Sequence, residues 1–224
     1  ILDFETVRML VAMQQAVDIK EPILRIIGPT GLGKTFTARG FSIFRGSEFL
    51  SNPVSQGTTV DDLTGSFQQN AQGRWFFNRD TSFKQRLENG GVVALSELNT
   101  LIDLNEKASL AWFLQQIAET PADKDGYRTI ELQEVPVLPG GQPYVIRIHP
   151  KSLIIIDVNP SSYATRGTFP PVFEEETPVI KAESILGKDS QTQKDRLKKF
   201  ARRFLKMDWK RGGVKLASGI SDSD

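Results

Sequence analysis

Continuous apolar runs, separated by polar and amphipathic stretches, dominate the pattern of this chain. Three of these runs lead directly into glycine or polar residues: Ile23–Ile27, Val92–Leu95 and Leu153–Ile156. Such runs are typical of strands buried on both faces of a parallel sheet. Glu48–Val54 is a weaker strand candidate because Pro53 interrupts it, and Phe204–Trp209 is a candidate for a last strand.

Four other segments have the periodicity or the end signals of helices. An N-terminal helix ending near Asp18 has one apolar face, formed by Phe4, Val7, Leu10, Val11 and Val17. A second helix is predicted to begin at about Phe36 and to run to about Phe44. A short one over Ser82–Asn89 is stopped by Gly90 and Gly91. Leu104–Ile117 forms the fourth, with an apolar face of Ala108, Ala111, Trp112 and Leu114. Strands alternating with helices indicate an α/β fold.

Two hairpins interrupt this alternation. Ser66–Gln69 and Arg74–Phe77 flank a turn that contains Asn70 and Gly73. Thr129–Val135 and Tyr144–Ile148 alternate in polarity and are separated by a Pro-Gly-Gly turn. His149, which ends the second hairpin, fits a surface or capping role better than a catalytic one. Residues 161–188 are turn-rich, and residues 210–224 have the composition of a disordered tail.

Composition narrows the possible functions. The 224 residues are 39% hydrophobic and 25% charged, with a net charge of +1, so no overall field favours nucleic acid or an anionic membrane. Zero cysteines exclude disulfides and thiolate metal sites, and a single histidine excludes a histidine cluster within one chain. No apolar run approaches the length of a membrane span, and no secretory signal opens the chain. We therefore expect a cytoplasmic protein.

The segment Gly28–Thr35 fits the phosphate-binding loop pattern G-x-x-x-x-G-K-[ST] at every fixed position and lies between a predicted strand and a predicted helix. Glycines allow several backbone N–H groups to converge on phosphate oxygens, and the helix N-terminus adds to their positive field. Lys34 would reach the β- and γ-phosphates, and the Thr35 hydroxyl would bind Mg²⁺. The predicted nucleotide-binding residues are Gly28, Pro29, Thr30, Gly31, Leu32, Gly33, Lys34, Thr35 and Phe36.

Polar residues follow two of the buried strands. Glu97 comes after Val92–Ser96, and Asn159 comes after the run that begins at Leu153. Ligands of open α/β sheets bind outside the carboxyl ends of the strands, so both side chains are expected near the nucleotide. Glu97 would orient the water that attacks the γ-phosphate, and Asn159 would hold that water or a γ-phosphate oxygen.

In their order along the chain, these features resemble the AAA+ ATPases of the MoxR-type and dynein-related group, which includes McrB-type proteins. The features are the phosphate-binding loop, the Thr-x-x-Asp-Leu-x-Gly segment at Thr59–Gly65, Glu97-Leu98-Asn99, Asn159-Pro160 and Arg203-Phe204. The resemblance covers about Pro22–Trp209. It implies a P-loop NTPase core at residues 1–209, built on a five-stranded parallel sheet with helices on both faces and two hairpin inserts. It also implies a ring, usually a hexamer, with ATP and Mg²⁺ bound between subunits.

The resemblance implies a role for each matching position. Lys34 and Thr35 match the Walker A residues, Glu97 the Walker B glutamate, Asn159 the sensor 1 asparagine, and Arg203 the arginine finger. Both hairpins would point towards the central pore, where Trp75 and Phe76 become candidates for contact with a protein or nucleic-acid partner. The aromatic residues could equally belong to the core.

The sequence departs from the family pattern in two ways. Ser96 occupies the position of the Walker B aspartate, so we expect weaker Mg²⁺ binding and weaker hydrolysis; Asp61 and Asp62 are the first alternative carboxylates. The chain also ends before any recognisable helical lid. The main hypothesis is that the protein is an ATPase that remodels a macromolecular partner. Two alternatives stay open, namely a nucleotide-gated scaffold with weak hydrolysis, and a McrB-type nucleic-acid-processing subunit that uses GTP or ATP, for which Lys194–Arg203 is the one basic cluster.

Overall fold

The computed structural model describes residues 4–55, 58–96, 98, 104–132, 144–159 and 177–181, and every structural statement below concerns these residues. The chain divides into two compact units, Arg8–Ser184 and a second formed by Ile1–Val7 with Ile185–Asp224. Of the second unit only residues 4–7 are described, as the first turn of a helix. Arg203 and the predicted strand Phe204–Trp209 therefore lie outside the described residues, as does the predicted core boundary at residue 209.

The described residues form five helices and nine strands. The helices are α1 (Phe4–Asp18), α2 (Lys34–Phe44), α3 (Val60–Thr64), α4 (Ser82–Glu88) and α5 (Leu104–Glu119). The strands are β1 (Ile23–Ile27), β2 (Phe49–Pro53), β3 (Ser66–Gln69), β4 (Trp75–Asn78), β5 (Val92–Ser96), β6 (Arg128–Glu131), β7 (Val145–Ile148), β8 (Leu153–Val158) and β9 (Val179–Lys181).

Five of the strands form one parallel sheet in the order β2-β5-β8-β1-β9. The predicted five-stranded parallel sheet is thus confirmed, with the three most apolar runs as its central strands. Pro53 is tolerated because β2 is an edge strand of the sheet as described and Pro53 is its last residue. The two predicted hairpins are also confirmed, as the antiparallel pairs β3–β4 and β6–β7.

Side chains of the central strands alternate between two hydrophobic clusters, one on each face of the sheet. Leu24, Ile26, Val92, Ala94, Leu153 and Ile155 pack with residues of α1 and α2, including Met9, Met13 and Phe41. Ile23, Val93, Leu95, Ile154 and Ile156 pack with residues of α3, α4 and α5, including Leu63, Phe83 and Phe113. Burial on both faces explains why these strands carry almost no polar residue before their carboxyl ends.

Two predicted helix faces need correction. In α5, Trp112 is 52% exposed, and the fully buried residues are Leu110, Phe113, Leu114 and Ile117. In α1 the core residues are Met9, Met13 and Ala16, whereas the predicted Val7, Leu10, Val11 and Val17 are only partly buried. Apolar residues lie on more than one side of both helices, so apolar character alone does not decide which side faces the core.

The fifth strand of the sheet was missed. Residues 161–188 were expected to be turn-rich, yet Val179–Lys181 is β9 and pairs with β1 along Arg25, Ile26 and Ile27. Only Ile180 of this strand is buried. Three residues with one buried side chain give no periodicity that a sequence pattern could detect.

Tyr144 joins the two hairpins. Its single O–H group is shared between the carbonyls of Thr64 (2.7 Å) and Arg79 (3.3 Å), which flank β3–β4 on either side. Its ring meets Phe77 edge-on at 5.1 Å. Burial, followed by the nearby Glu88 carboxylate, raises the pKa of Tyr144 to about 12.

Gly65 opens the first hairpin in a conformation that other residues avoid. Its φ is +141°, and a Cβ at this position would lie 2.5 Å from the carbonyl oxygen of Asn78. The glycine of the Thr59–Gly65 segment is therefore needed for the close approach of the two hairpin ends. Phe67 and Phe76, on the hairpin itself, are 48% and 45% exposed.

His149 ends the second hairpin in a local structural role. Its Nδ1 accepts a hydrogen bond from the backbone N–H of Lys151 at 3.0 Å, and its ring packs edge-on against Tyr127. Burial, and then the cations Lys151 and Arg45, lower the pKa of His149, which favours the neutral acceptor form.

Candidate functional site

The predicted phosphate-binding loop connects β1, a central strand, to the start of α2. The N–H of Gly28 donates to the carbonyl of Val158 at 3.0 Å, which continues the β1–β8 ladder by one residue. Gly33 precedes α2 with φ +77°, a left-handed conformation that glycine adopts without strain. No side chain caps α2 at this residue. The first N–H groups of the helix are therefore not covered by a capping side chain and are oriented to bind an anion.

A cavity of about 220 Å³ lies over this loop. Its lining combines seven predicted nucleotide-binding residues with polar residues from the ends of two strands: Thr30, Gly31, Leu32, Gly33, Lys34, Thr35, Phe36, Ser96, Asp157 and Asn159. Gly28 and Pro29 do not line the cavity, but their carbonyl groups accept hydrogen bonds from Nζ of Lys34. Phe36 is 80% exposed, so it forms part of the rim of the cavity.

Lys34 is the central cation of the site. Its side chain is only 4% exposed, and its Nζ donates to the carbonyls of Gly28 (2.6 Å) and Pro29 (3.0 Å). The same atom lies 3.2 Å from Oδ1 of Asp157. The loop therefore holds a buried ammonium group beside the N-terminus of α2. A phosphate bound there would contact both the ammonium group and the first N–H groups of the helix.

Asn159 lies where the sequence places it, immediately after β8 and against the loop. Its Oδ1 accepts hydrogen bonds from the Thr30 hydroxyl (3.2 Å) and from Nζ of Lys34 (3.3 Å). The residue is 5% exposed. The Asn159 amide therefore contacts the ammonium group of Lys34, which the phosphate-binding loop pattern predicts to bind the β- and γ-phosphates.

Three oxygen-bearing side chains converge next to Lys34. The Thr35 hydroxyl donates to Oδ2 of Asp157 at 3.0 Å and lies 3.5 Å from the hydroxyl of Ser96. Hydroxyl and carboxylate oxygens are ligands that Mg²⁺ accepts, and Mg²⁺ at such sites is completed by substrate phosphates and water. In the described ranges no three His, Cys, Asp or Glu side chains form a cluster that could hold a metal without such help. These residues fit Mg²⁺ that arrives with a nucleotide.

Asp157 was not singled out from the sequence. The pattern that could have found it is a single acidic residue within the otherwise apolar run Leu153–Val158. Asp61 and Asp62, the alternative carboxylates considered from the sequence, belong to α3 and do not line the cavity. Asp62 instead forms a capping box with Thr59. Glu97 and Arg203 lie outside the described residues.

Part of the chain matches a known protein family. Residues 23–106 match the family model of the AAA domain, dynein-related subfamily. These residues include the phosphate-binding loop, the Thr59–Gly65 segment, the first hairpin and β5.

A solved structure shares the fold. The crystal structure of a "putative ATPase" from Cytophaga hutchinsonii matches with a TM-score of 0.50 and 12% sequence identity, over 88% of this chain and 54% of the other. At this identity the likeness concerns the fold, which is that of a P-loop NTPase. The chain spans about half the length of that protein. Among the helices that the structure describes, none combines the length and apolar character needed to cross a bilayer.

Proposed function

We propose that this chain binds ATP with Mg²⁺ at the loop Gly28–Thr35 and hydrolyses it, since residues 23–106 match the AAA domain, dynein-related subfamily, and the fold is that of a P-loop NTPase. The observation that carries the proposal is the position of Lys34. A buried ammonium group, glycine backbone and an uncapped helix N-terminus meet at the carboxyl ends of the central strands. This is the arrangement that binds the phosphates of a nucleotide.

In this proposal the residues of the chain have distinct tasks. Loop N–H groups and Lys34 bind the phosphates, and Lys34 exchanges its contacts with Gly28 and Pro29 for phosphate oxygens. Asn159 positions the terminal phosphate or the attacking water through the amide that touches Lys34. Thr35 and Ser96 would hold Mg²⁺ through their hydroxyl oxygens, and the bound ion would neutralise charge on the phosphates.

The remaining roles rest on sequence positions. We infer that Glu97 orients the attacking water and that Arg203 completes the site of a neighbouring subunit in a ring, which by family resemblance has six members. Nucleotide turnover would then change the positions of the β3–β4 and β6–β7 hairpins. Exposed Phe67 and Phe76 provide apolar surface for contact with a macromolecular partner.

Steady-state phosphate release tests the enzymatic part. The protein should release phosphate from ATP in the presence of Mg²⁺ and not in EDTA, and Lys34→Ala should release none. GTP in a parallel series decides the base preference. Light scattering with and without nucleotide measures ring assembly. Turnover that persists in Lys34→Ala would contradict the assignment of the loop.

Ser96 favours one alternative, a scaffold that assembles on ATP but hydrolyses it slowly. A neutral hydroxyl replaces the family carboxylate at the end of β5. For a scaffold, assembly should depend on ATP while turnover stays near the uncatalysed level, and Glu97→Gln should assemble like the wild type. For the ATPase, Glu97→Gln should stay assembled after the wild type has disassembled, since it cannot consume its nucleotide.

A further inference from the structure

Ser96 and Asp157 are direct neighbours across two strands. They are register partners in the parallel β5–β8 ladder, and register partners project from the same face of a sheet. Both line the cavity over the phosphate-binding loop. A serine and a carboxylate thus lie side by side at the position where a metal-binding carboxylate is needed.

The strand order places Asp157 closer to the loop than Ser96. β8 lies between β5 and β1 in the sheet, and Asp157 is also the register partner of Ile26, two residues before Gly28. Its two carboxylate oxygens divide between two loop residues, Oδ1 facing Nζ of Lys34 and Oδ2 facing the hydroxyl of Thr35. A carboxylate on β8 therefore reaches the same hydroxyl that Ser96 approaches from β5.

We propose that Asp157 supplies the metal-binding carboxylate of this site, displaced by one strand from the position that Ser96 occupies. This inference rests on the proposed binding of ATP with Mg²⁺. In it, Ser96 contributes at most a neutral hydroxyl or a water contact, and the charge comes from the neighbouring strand. The chain would then retain Mg²⁺ binding despite the serine.

Electrostatics separates this role from a purely structural one. With a side chain only 13% exposed, Asp157 places a negative charge next to the position of the phosphates. Without a divalent cation that charge opposes a polyphosphate, whereas with Mg²⁺ it binds the cation and favours the complex. If Asp157 only held Lys34 in place, its loss would weaken nucleotide binding whether Mg²⁺ was present or not.

The test measures the affinity of the full chain for a non-hydrolysable ATP analogue by calorimetry, in Mg²⁺ and in EDTA. Four proteins are compared: wild type, Asp157→Asn, Asp157→Ser, and the exchange variant Ser96→Asp/Asp157→Ser. Thermal unfolding checks that each variant is folded. Electron paramagnetic resonance of Mn²⁺ with the analogue reports metal binding independently of turnover.

We expect Asp157→Asn and Asp157→Ser to bind the ATP analogue ~10–100-fold more weakly in Mg²⁺. This is the range by which metal affinity falls when a side chain that supports a metal site is mutated. In EDTA both should bind as tightly as wild type or more tightly. Ser96→Asp/Asp157→Ser should recover the dependence of analogue affinity on Mg²⁺ and the Mn²⁺ signal, because it places a carboxylate on β5 in exchange for the one removed from β8. Should Asp157→Asn not fold, the exchange variant and Asp157→Ser carry the comparison.

Two results would overturn the inference. One is an equal loss of affinity in Mg²⁺ and in EDTA, which would assign Asp157 to positioning Lys34. The other is an undiminished effect of Mg²⁺ in Asp157→Asn. Failure of the proposed function looks different, since wild type would then bind no triphosphate in either buffer.

Discussion

Replacing Lys34 by methionine removes the ammonium group and keeps an apolar side chain of similar length. Two effects follow from the contacts of Nζ. The phosphates lose their buried cation, and Asp157 loses the ion pair at 3.2 Å. A useful experiment has to separate the effect on the ligand from the effect on the fold.

The loss of affinity can be derived from the contacts that Nζ is able to form. A hydrogen bond to a charged group contributes about 1.5–3 kcal/mol. Two such bonds to phosphate oxygens correspond to ~10²–10⁴-fold in affinity, since 1.4 kcal/mol is a factor of ten. We expect the lower end, about 100-fold, because Lys34 gives up its bonds to the Gly28 and Pro29 carbonyls when it turns to a phosphate.

The cost in stability follows from the pair with Asp157. Removing one partner of a buried ion pair costs about 3–5 kcal/mol when the remaining charge has no other compensation. Asp157 keeps some exposure and the hydrogen bond from Thr35, so we expect a decrease of about 1–3 kcal/mol in the free energy of unfolding. The double variant Lys34→Met/Asp157→Asn removes both charges and should recover most of this loss.

Urea unfolding measures the stability, and calorimetric titration with ATP in Mg²⁺ measures the affinity. Stability should recover in the double variant while the affinity stays low. If Lys34→Met binds ATP within about threefold of wild type while remaining folded, the role assigned to Lys34 is wrong, because a lost charge-assisted contact is larger than that.

Three further predictions concern other parts of the chain. Glu97→Gln should bind ATP as wild type does but cleave it more slowly, since an amide is a poor base, and single-turnover measurement of bound ATP checks this. Arg203→Ala and Glu97→Gln should each cleave ATP slowly when alone, and mixing them into one ring should raise the turnover, because an arginine finger contributes ~10³-fold or more; a mixed ring that stays as slow would contradict action between subunits. Tyr144→Phe should lower the free energy of unfolding by about 1–3 kcal/mol, because it removes the donor to the Thr64 and Arg79 carbonyls. The pKa of this phenol is raised from 10.0 to about 12 in the folded state, so the stability that the neutral phenol contributes is complete below pH 10 and is lost as the pH rises towards 12. Urea unfolding over this pH range should show that decrease in the wild type and not in Tyr144→Phe.

The sequence was sufficient for the features that local patterns determine. Three apolar runs became β1, β5 and β8, because a strand covered on both faces can hold few polar residues. The glycine-rich pattern placed the loop, and the turn residues placed both hairpins. These signals are local in the sequence, although the second hairpin pairs residues up to 20 positions apart, as Arg128 with Ile148.

Features that depend on strand order were out of reach. Asp157 matters because β8 lies between β5 and β1, which brings its carboxylate to Thr35 from 122 residues away. β9 is a strand because β1 offers it an edge, although Val179–Lys181 has no detectable periodicity. Helical periodicity places Trp112 on the apolar face of α5, whereas the tertiary packing buries the adjacent Phe113 instead.

The contacts of Tyr144 with the first hairpin also decide which deletion experiments can be interpreted. This one side chain, immediately before β7, contacts the backbone on both sides of β3–β4 and packs against Phe77 between them. A deletion of the second hairpin that includes Tyr144 would therefore also remove these contacts with the first hairpin. Such a deletion could not assign partner binding to one hairpin, because it would perturb both. Phe67 packs edge-on against Phe77, so its substitution would disturb the ring that Tyr144 contacts. Substitution of the exposed Phe76 avoids that contact, so it is the change that can assign a function to the first hairpin alone.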